Sequence, residues 1–221
     1  MIHFKKYVGE PVEVTISGHY QLSGILIDAG TDLLILYNGE DFIYIPGVHI
    51  HYTDFQYVSE EEISEPDDVP FQGQNESISF RKILNNAKGM FSEINITGNE
   101  TIHGYVTHVL NDYFTFYSPV YKTMFIPLHH LKYLIPYHTG QRPYALDKEA
   151  LPLSPSNVAL SRTFEEQCRK HVGDIIIFDL GHDPKKVGQL VKVENGQVEM
   201  IIARDQSIYL NMHHIKAVHM P

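Results

Sequence analysis

The chain has 221 residues, a formal net charge of −10 with histidine counted as neutral, 14 His and a single Cys. This length is sufficient to bury a hydrophobic core, whereas the lone Cys168 excludes a disulfide within the chain and a zinc site built on cysteines. The N-terminal residues lack the apolar core of a signal peptide, and no stretch approaches the length of a membrane span, so we expect a cytoplasmic protein.

The negative charge is concentrated in the first third of the sequence. No Lys or Arg occurs from Tyr7 to Phe80, a stretch that contains 14 acidic residues. From Arg81 onward, 15 Lys and Arg face 13 acidic residues. A polyanion would be repelled by the first part and only weakly attracted by the rest, so we expect nucleic acid not to be a partner.

The first predicted elements are short strands. Val12, Val14 and Ile16 alternate with polar residues, which is typical of a half-buried strand. Asn38-Gly39 predicts a two-residue hairpin loop between later strands, because both residues tolerate positive φ. The segment 45–50 predicts one turn of 3₁₀ helix that leads into a fifth strand.

Helices are predicted before two later groups of strands. Phe80, Ile83, Leu84 and Ala87 form one apolar face of a helix over residues 80–88. A capping box at 163–166 opens a second helix that runs to about His171. In the first group, residues 4–7 leave room for a single helical turn at most.

One glycine pattern occurs three times. The sets begin at Gly9, Gly89 and Gly173, with spacings of 9 and 6, 9 and 6, and 8 and 7 residues. Each copy ends in a His-containing segment, at 45–50, 126–131 and 210–215. We therefore predict three domains at 1–56, 77–136 and 161–221, joined by an acidic linker (57–76) and a Pro-containing linker (137–160). They are called the first, second and third repeat below.

Each repeat resembles the Sm-like fold, a member of the SH3-like barrel group. The resemblance rests on the alternating first strand, the hydrophobic third strand and the glycine pairs Gly18/Gly24 and Gly98/Gly104. It implies an all-β fold (mainly β with two or three short helices) of three tandem five-stranded barrels. The closing segments, such as residues 125–134, are also similar to small barrel domains of Bacillus-type sporulation and coat-associated proteins, which implies spore association as a second possible location.

The nucleotide pocket of RNA-binding Sm-like proteins is not matched. Asp32 and Asp112 are not followed by the Asn of that pocket, and no Arg-Gly pair occurs near a fifth strand. An RNA-binding regulator remains an alternative that needs a basic surface. Its candidate residues are Lys82, Lys88, Lys122, Lys132, Lys185, Lys186, Lys192 and Lys216.

Histidine pairs are the candidates for metal chemistry. His129-His130 and His213-His214 occupy matching repeat positions, and His49 matches the second member of each pair. Imidazole binds zinc, nickel and copper, but adjacent side chains on a strand point to opposite faces. Because recurrence in every repeat favours a structural role, we predict that the second histidine braces the 3₁₀ turn, with metal binding and pH sensing as alternatives. The predicted structural residues are Gly18, Gly24, His49, Gly98, Gly104, His130, Gly188 and His214.

No catalytic constellation is predicted. Cys168 has His171 at i+3, but a buried cysteine of the second helix is the favoured interpretation. The sequence lacks a serine elbow and a phosphate-binding glycine loop. We therefore expect a protein that is not an enzyme and has no cofactor.

The expected function is a protein-binding or self-assembling scaffold module. Sm-like barrels associate through their fourth and fifth strands, so three linked barrels would form half of a six-barrel ring and the chain would dimerise. We expect tyrosines to form the interacting surface, because tyrosine is enriched at interfaces. They are Tyr37, Tyr44, Tyr52, Tyr57, Tyr105, Tyr113, Tyr117, Tyr121 and Tyr133.

Overall fold

The computed structural model describes residues 1–58, 63–64, 66, 71, 78–97, 100–138, 140–141, 143–145 and 159–221. Within these ranges the chain is mainly β with two short α-helices, which confirms the predicted class. The first repeat contains the 3₁₀ helix Ile2–Tyr7, β1 (Pro11–Ile16), β2 (Tyr20–Ala29), β3 (Leu33–Tyr37), β4 (Phe42–Pro46), the 3₁₀ turn Gly47–His49 and β5 (Ile50–Asp54).

The other two repeats have the same order of elements. The second contains α1 (Phe80–Asn86), β6 (Phe91–Thr97), β7 (Glu100–Val109), β8 (Tyr113–Ser118), β9 (Lys122–Pro127), the 3₁₀ turn Leu128–His130 and β10 (Tyr133–Pro136). The third contains α2 (Phe164–Arg169), β11 (Ile175–Phe178), β12 (Val187–Glu194), β13 (Gln197–Ile202), β14 (Gln206–Asn211), the 3₁₀ turn Met212–His214 and β15 (Val218–His219).

Both predicted α-helices begin at a side-chain cap. The hydroxyls of Ser79 and Thr163 accept hydrogen bonds from the backbone N–H three residues further on. The predicted apolar face of α1 is buried at Phe80, Ile83 and Leu84. The helices therefore start where local sequence predicts.

An aspartate of the preceding repeat holds each helix start. The N–H of Phe80 donates to Asp32 Oδ1 (2.8 Å), and that of Phe164 donates to Asp112 Oδ1 (2.9 Å). A carboxylate is favourable there because the first N–H groups of a helix have no partner within the helix. These two aspartates, which the Sm-like comparison places at a nucleotide pocket, thus bind the backbone of the next repeat.

The chain divides into two compact units, Met1–Thr101 with Leu131–Gln141 and Ile102–His130 with Arg142–Pro221. In the first unit the strands pair antiparallel in the order β6-β10-β4-β3-β2-β1-β5, and in the second in the order β7-β8-β9-β15-β11-β12-β13-β14. Neither ladder closes on itself, so the prediction of three separately closed barrels is not confirmed. The second repeat contributes strands to both units.

The second strand of every repeat is bent at the same position. Pairing shifts by one residue at Ile27 in β2, Thr107 in β7 and Val191 in β12, which is a β-bulge. Three residues earlier in each strand lie Gly24, Gly104 and Gly188. A Cβ at these glycines would lie 2.4, 2.1 and 2.4 Å from a carbonyl oxygen of the neighbouring strand.

The predicted glycines differ in their backbone surroundings. Gly18 has φ 91° in the turn between β1 and β2, whereas Gly24 lies inside a strand and not in a turn. Gly98 lies outside the described residues.

The two Asn-Gly loops of the chain's described part differ in length. Asn195-Gly196 is a two-residue loop, since Glu194 pairs with Gln197. The two-residue prediction for Asn38-Gly39 is wrong, because the loop between β3 and β4 spans residues 38–41. The Asn38 side chain accepts the N–H groups of the two acidic residues in that loop and so stabilises the longer turn.

Candidate functional site

In the first unit, a strand junction joins the first repeat to the second. The fourth strand of the first repeat, β4, pairs with the fifth strand of the second, β10, with Leu134 opposite Tyr44. Both side chains are 0% exposed. This junction is therefore part of the protein's core.

Polar contacts flank this first junction. Lys132 Nζ lies 5.0 Å from the centre of the Tyr20 ring, a cation–π contact between repeats. The His138 ring donates from Nε2 to the carbonyl oxygen of Glu40 (2.7 Å), and the same nitrogen lies 3.4 Å from an Asp41 carboxylate oxygen. Burial raises the pKa of Asp41, as does Glu40, although His138 opposes that shift. Strand pairing and side-chain contacts thus both connect the first repeat to the second.

In the second unit, an equivalent junction joins the second repeat to the third. The fourth strand β9 pairs with the fifth strand β15, with Phe125 opposite Val218. Their exposed fractions are 0% and 1%. His130 Nε2 lies 2.9 Å from the carbonyl oxygen of His213 in the adjoining 3₁₀ turn. At both junctions, the fourth strand of one repeat thus pairs with the fifth strand of the next.

One fourth strand and one fifth strand have no such partner among the described residues. In the ladder of the first unit β5 pairs only with β1, and in that of the second unit β14 pairs only with β13. We call β5 and β14 the free edges. Exposed edge strands present unpaired backbone N–H and C=O groups and are templates for further pairing.

The free edges carry apolar side chains at positions that the internal junctions bury. Tyr209 occupies the repeat position of Tyr44 and Phe125, one residue before the closing segment, and is 68% exposed. Tyr52 on β5 is 54% exposed, whereas its equivalent Tyr133 is 9% exposed. The free edges are therefore built like the halves of a junction but remain open to solvent.

The tyrosine prediction is partly wrong. Tyr44 and Tyr113 are core residues, and Tyr105 and Tyr133 are 9% exposed, so these four do not form a surface. Burial raises the pKa of Tyr113 to about 12, with Asp112 adding to the shift. Sequence reasoning missed Tyr209. Its alignment with Tyr44 and Phe125, each preceding a His-containing segment, was the available signal.

The histidines have three different environments. His49 is 8% exposed and its Nδ1 lies 3.2 Å from the hydroxyl of Ser17, whereas His214 is exposed. His130 donates to the turn of the next repeat and not to its own, which corrects the predicted bracing of its own turn. His129, His130 and His213 lie close together, with ring centres 4.1 and 6.4 Å from that of His129. In the described part of the chain, no group of three or more His, Cys, Asp or Glu could hold a metal ion.

Packing and pairing account for Cys168 and for two of the candidate lysines. Cys168 is 1% exposed, as predicted, and burial raises the pKa of its thiol. Among the lysines proposed for a basic surface, Lys132 is 8% exposed and Lys186 is paired with Asp179. All seven acidic residues of the predicted linker 57–76 lie outside the described residues.

No helix within the described ranges is long and apolar enough to cross a membrane.

Comparisons with known proteins give a family. A family model described as the YwrJ third domain matches residues 163–218. The chain is 42% identical over 220 residues to a Bacillus subtilis (strain 168) protein described as uncharacterized protein YwrJ, with 98% of each chain covered. This agrees with the resemblance to Bacillus-type proteins seen in the sequence, and the chain belongs to the YwrJ family.

Proposed function

We propose that the protein is a non-enzymatic, self-assembling scaffold module, in which the free edge β14 of one copy pairs with the free edge β5 of a second copy. The observation that carries this proposal is the repeated junction. Both internal junctions join a fourth strand to the fifth strand of the next repeat, and among the described residues one fourth strand and one fifth strand have no such partner.

The internal junctions also supply the register. Tyr44 and Phe125 face Leu134 and Val218, and the same repeat positions on the free edges are Tyr209 and Thr53. We therefore expect an antiparallel ladder with Tyr209 opposite Thr53 of the second copy. Burying one tyrosine side chain of this kind stabilises association by about 1.5–3 kcal/mol before the cost of ordering.

A second copy is favoured over an unrelated partner because one chain carries both halves of the junction. Two copies can then satisfy both pairs of free edges in a closed dimer with six repeats, whereas an open chain of copies would leave two edges exposed. Backbone pairing of this type is sequence-tolerant, and the exposed Tyr52 and Tyr209 would supply specificity. We also propose that each repeat has a Sm-like barrel fold.

Sedimentation velocity at tens of micromolar tests the proposal directly. The chain mass is 25.3 kDa, so the expected species has about twice that mass. Tyr209→Lys should give a monomer, because lysine on an edge strand opposes pairing. Val120→Lys is the matched control, since Val120 is 61% exposed and lies in the turn between β8 and β9, on neither free edge. A strict monomer of the wild-type chain would refute self-assembly.

A further inference from the structure

His130, in the closing 3₁₀ turn of the second repeat, links that repeat to the third. In the second unit, His130 ends the turn Leu128–His130 and donates from Nε2 to the backbone oxygen of His213 in the turn Met212–His214. This hydrogen bond lies beside the β9–β15 ladder. It is thus a side-chain contact of the junction, added to the strand pairing.

The surroundings of His130 favour the neutral imidazole. Burial and then the neighbouring His129 lower the pKa of His130 to about 4, and Lys216 acts in the same direction. The hydrogen bond to His213 and the carboxylate of Asp179 oppose this shift. Protonation of a histidine in such a junction therefore opposes its formation.

The free edges place equivalent groups at the proposed intermolecular junction. His214 stands at the repeat position of His130, and Val48, which is 70% exposed, stands at that of His213. Pairing β14 with β5 of a second copy brings the His214 ring toward the carbonyl oxygen of the second copy's Val48. Both groups are solvent-exposed in the single chain.

The charged and titratable groups around this junction differ from those around His130. On the His214 side they are His213 and Lys216; on the second copy they are His49, His51 and Asp54. His51 replaces Lys216 of the internal junction, and Thr15 replaces the carboxylate of Asp179. In the proposed junction, His213 and His214 of one copy would therefore lie near His51 of the second copy, without an aspartate at the position that Asp179 has beside His130.

We propose that self-assembly through the free edges is acid-labile: His214 donates to the backbone of Val48 in the second copy, and burial of its ring beside His213 and His51 opposes the protonated, charged form. This inference rests on the self-association proposed above. In the internal junction, burial and then the neighbouring His129 lower the pKa of His130 from the ordinary histidine value of about 6.5 to about 4. At pH 5.5 the dissociation constant should therefore rise about tenfold for each junction.

Net charge predicts the opposite pH dependence, which makes the inference discriminating. The sequence pI is about 5.7, so mutual repulsion of two copies is smallest near the pH at which histidine protonation should separate them. An assembly governed by net charge would tighten on acidification from pH 7.5 to 5.5. One governed by His214 would loosen.

The experiment measures the dimer dissociation constant by sedimentation equilibrium at pH 7.5, 6.5 and 5.5 and constant ionic strength. We expect at least a tenfold rise at pH 5.5, most of which His214→Gln removes while His3→Gln leaves it in place. Far-UV circular dichroism at each pH verifies folding. Equal affinity at pH 7.5 and 5.5, or an unchanged pH response in His214→Gln, overturns this inference alone. A monomer at every pH overturns the self-association and this inference with it.

Discussion

Asp179 is the buried carboxylate on which the closing segment of the third repeat depends. Its side chain is 7% exposed, and one oxygen accepts the N–H groups of Lys216 (2.6 Å) and Ala217 (3.3 Å). The other oxygen pairs with the ammonium group of Lys186. The residue also has φ 49°, in the left-handed region. We therefore predict that Asp179→Ala strongly destabilises the third repeat.

The expected loss follows from these contacts. Removing one partner of a buried charged pair costs about 3–5 kcal/mol, and alanine in the left-handed region adds roughly 1 kcal/mol. Since Lys186 is 30% exposed and water can solvate it, we expect a total near the lower end, about 4 kcal/mol. Asp179→Asn keeps an acceptor oxygen and tolerates the backbone conformation, so its cost should be about half.

Urea unfolding at a fixed protein concentration measures these losses, and hydrogen exchange of the peptide containing Lys216 and Ala217 localises them. Asp174→Ala is the matched control. That carboxylate is 58% exposed and bonds only a neighbouring histidine among its described contacts, so its removal should cost less than about 1 kcal/mol. A loss below about 1 kcal/mol for Asp179→Ala would refute the reasoning.

Four further predictions concern the free edges, the bent strands, the thiol and the junction histidine. Thr53→Cys combined with Tyr209→Cys should give a disulfide-linked dimer on mild oxidation, whereas Tyr52→Cys with Tyr209→Cys should not, because the pleat turns residue 52 to the other face; cross-linking in both or neither contradicts the register. Gly104→Ala should cost more than about 2 kcal/mol, against roughly 1 kcal/mol for Gly89→Ala, since a Cβ at Gly104 meets the Tyr117 carbonyl at 2.1 Å and one at Gly89 meets nothing within 4 Å; equal melting temperatures would show that β7 relaxes. The thiol of Cys168, buried and with a raised pKa, should react with a thiol reagent only at the rate of unfolding, and prompt labelling of the native chain would contradict its burial. The pKa of His130 is lowered to about 4, so between about pH 6.5 and 4 the unfolded chain binds more protons than the folded chain, and the free energy of unfolding decreases as the pH is lowered. His130→Gln should make this decrease smaller than it is in His3→Gln, and an unchanged slope would exclude His130 as its source.

Local sequence determined the elements of the fold. The alternation at Val12, Val14 and Ile16 predicts β1 because a strand places successive side chains on opposite faces, and all three are 0% exposed. The apolar face of α1 and the cap Thr163 of α2 predict the two helices for an equally local reason. Repetition of glycine and histidine positions indicated three copies, and the equivalent β-bulges in β2, β7 and β12 agree with it.

Only the tertiary structure decided which strands meet. Pairing of β4 with β10 and of β9 with β15 depends on backbone groups that every residue carries, so side-chain patterns do not specify it. For the same reason Tyr44 and Tyr209 look alike in sequence, yet one is 0% and the other 68% exposed. The recurring histidine was visible in sequence, but the acceptor of His130 is contributed by the neighbouring repeat. The length and charge of the chain thus bound its class, while the free edges β5 and β14, which only the completed ladders expose, define the candidate interface.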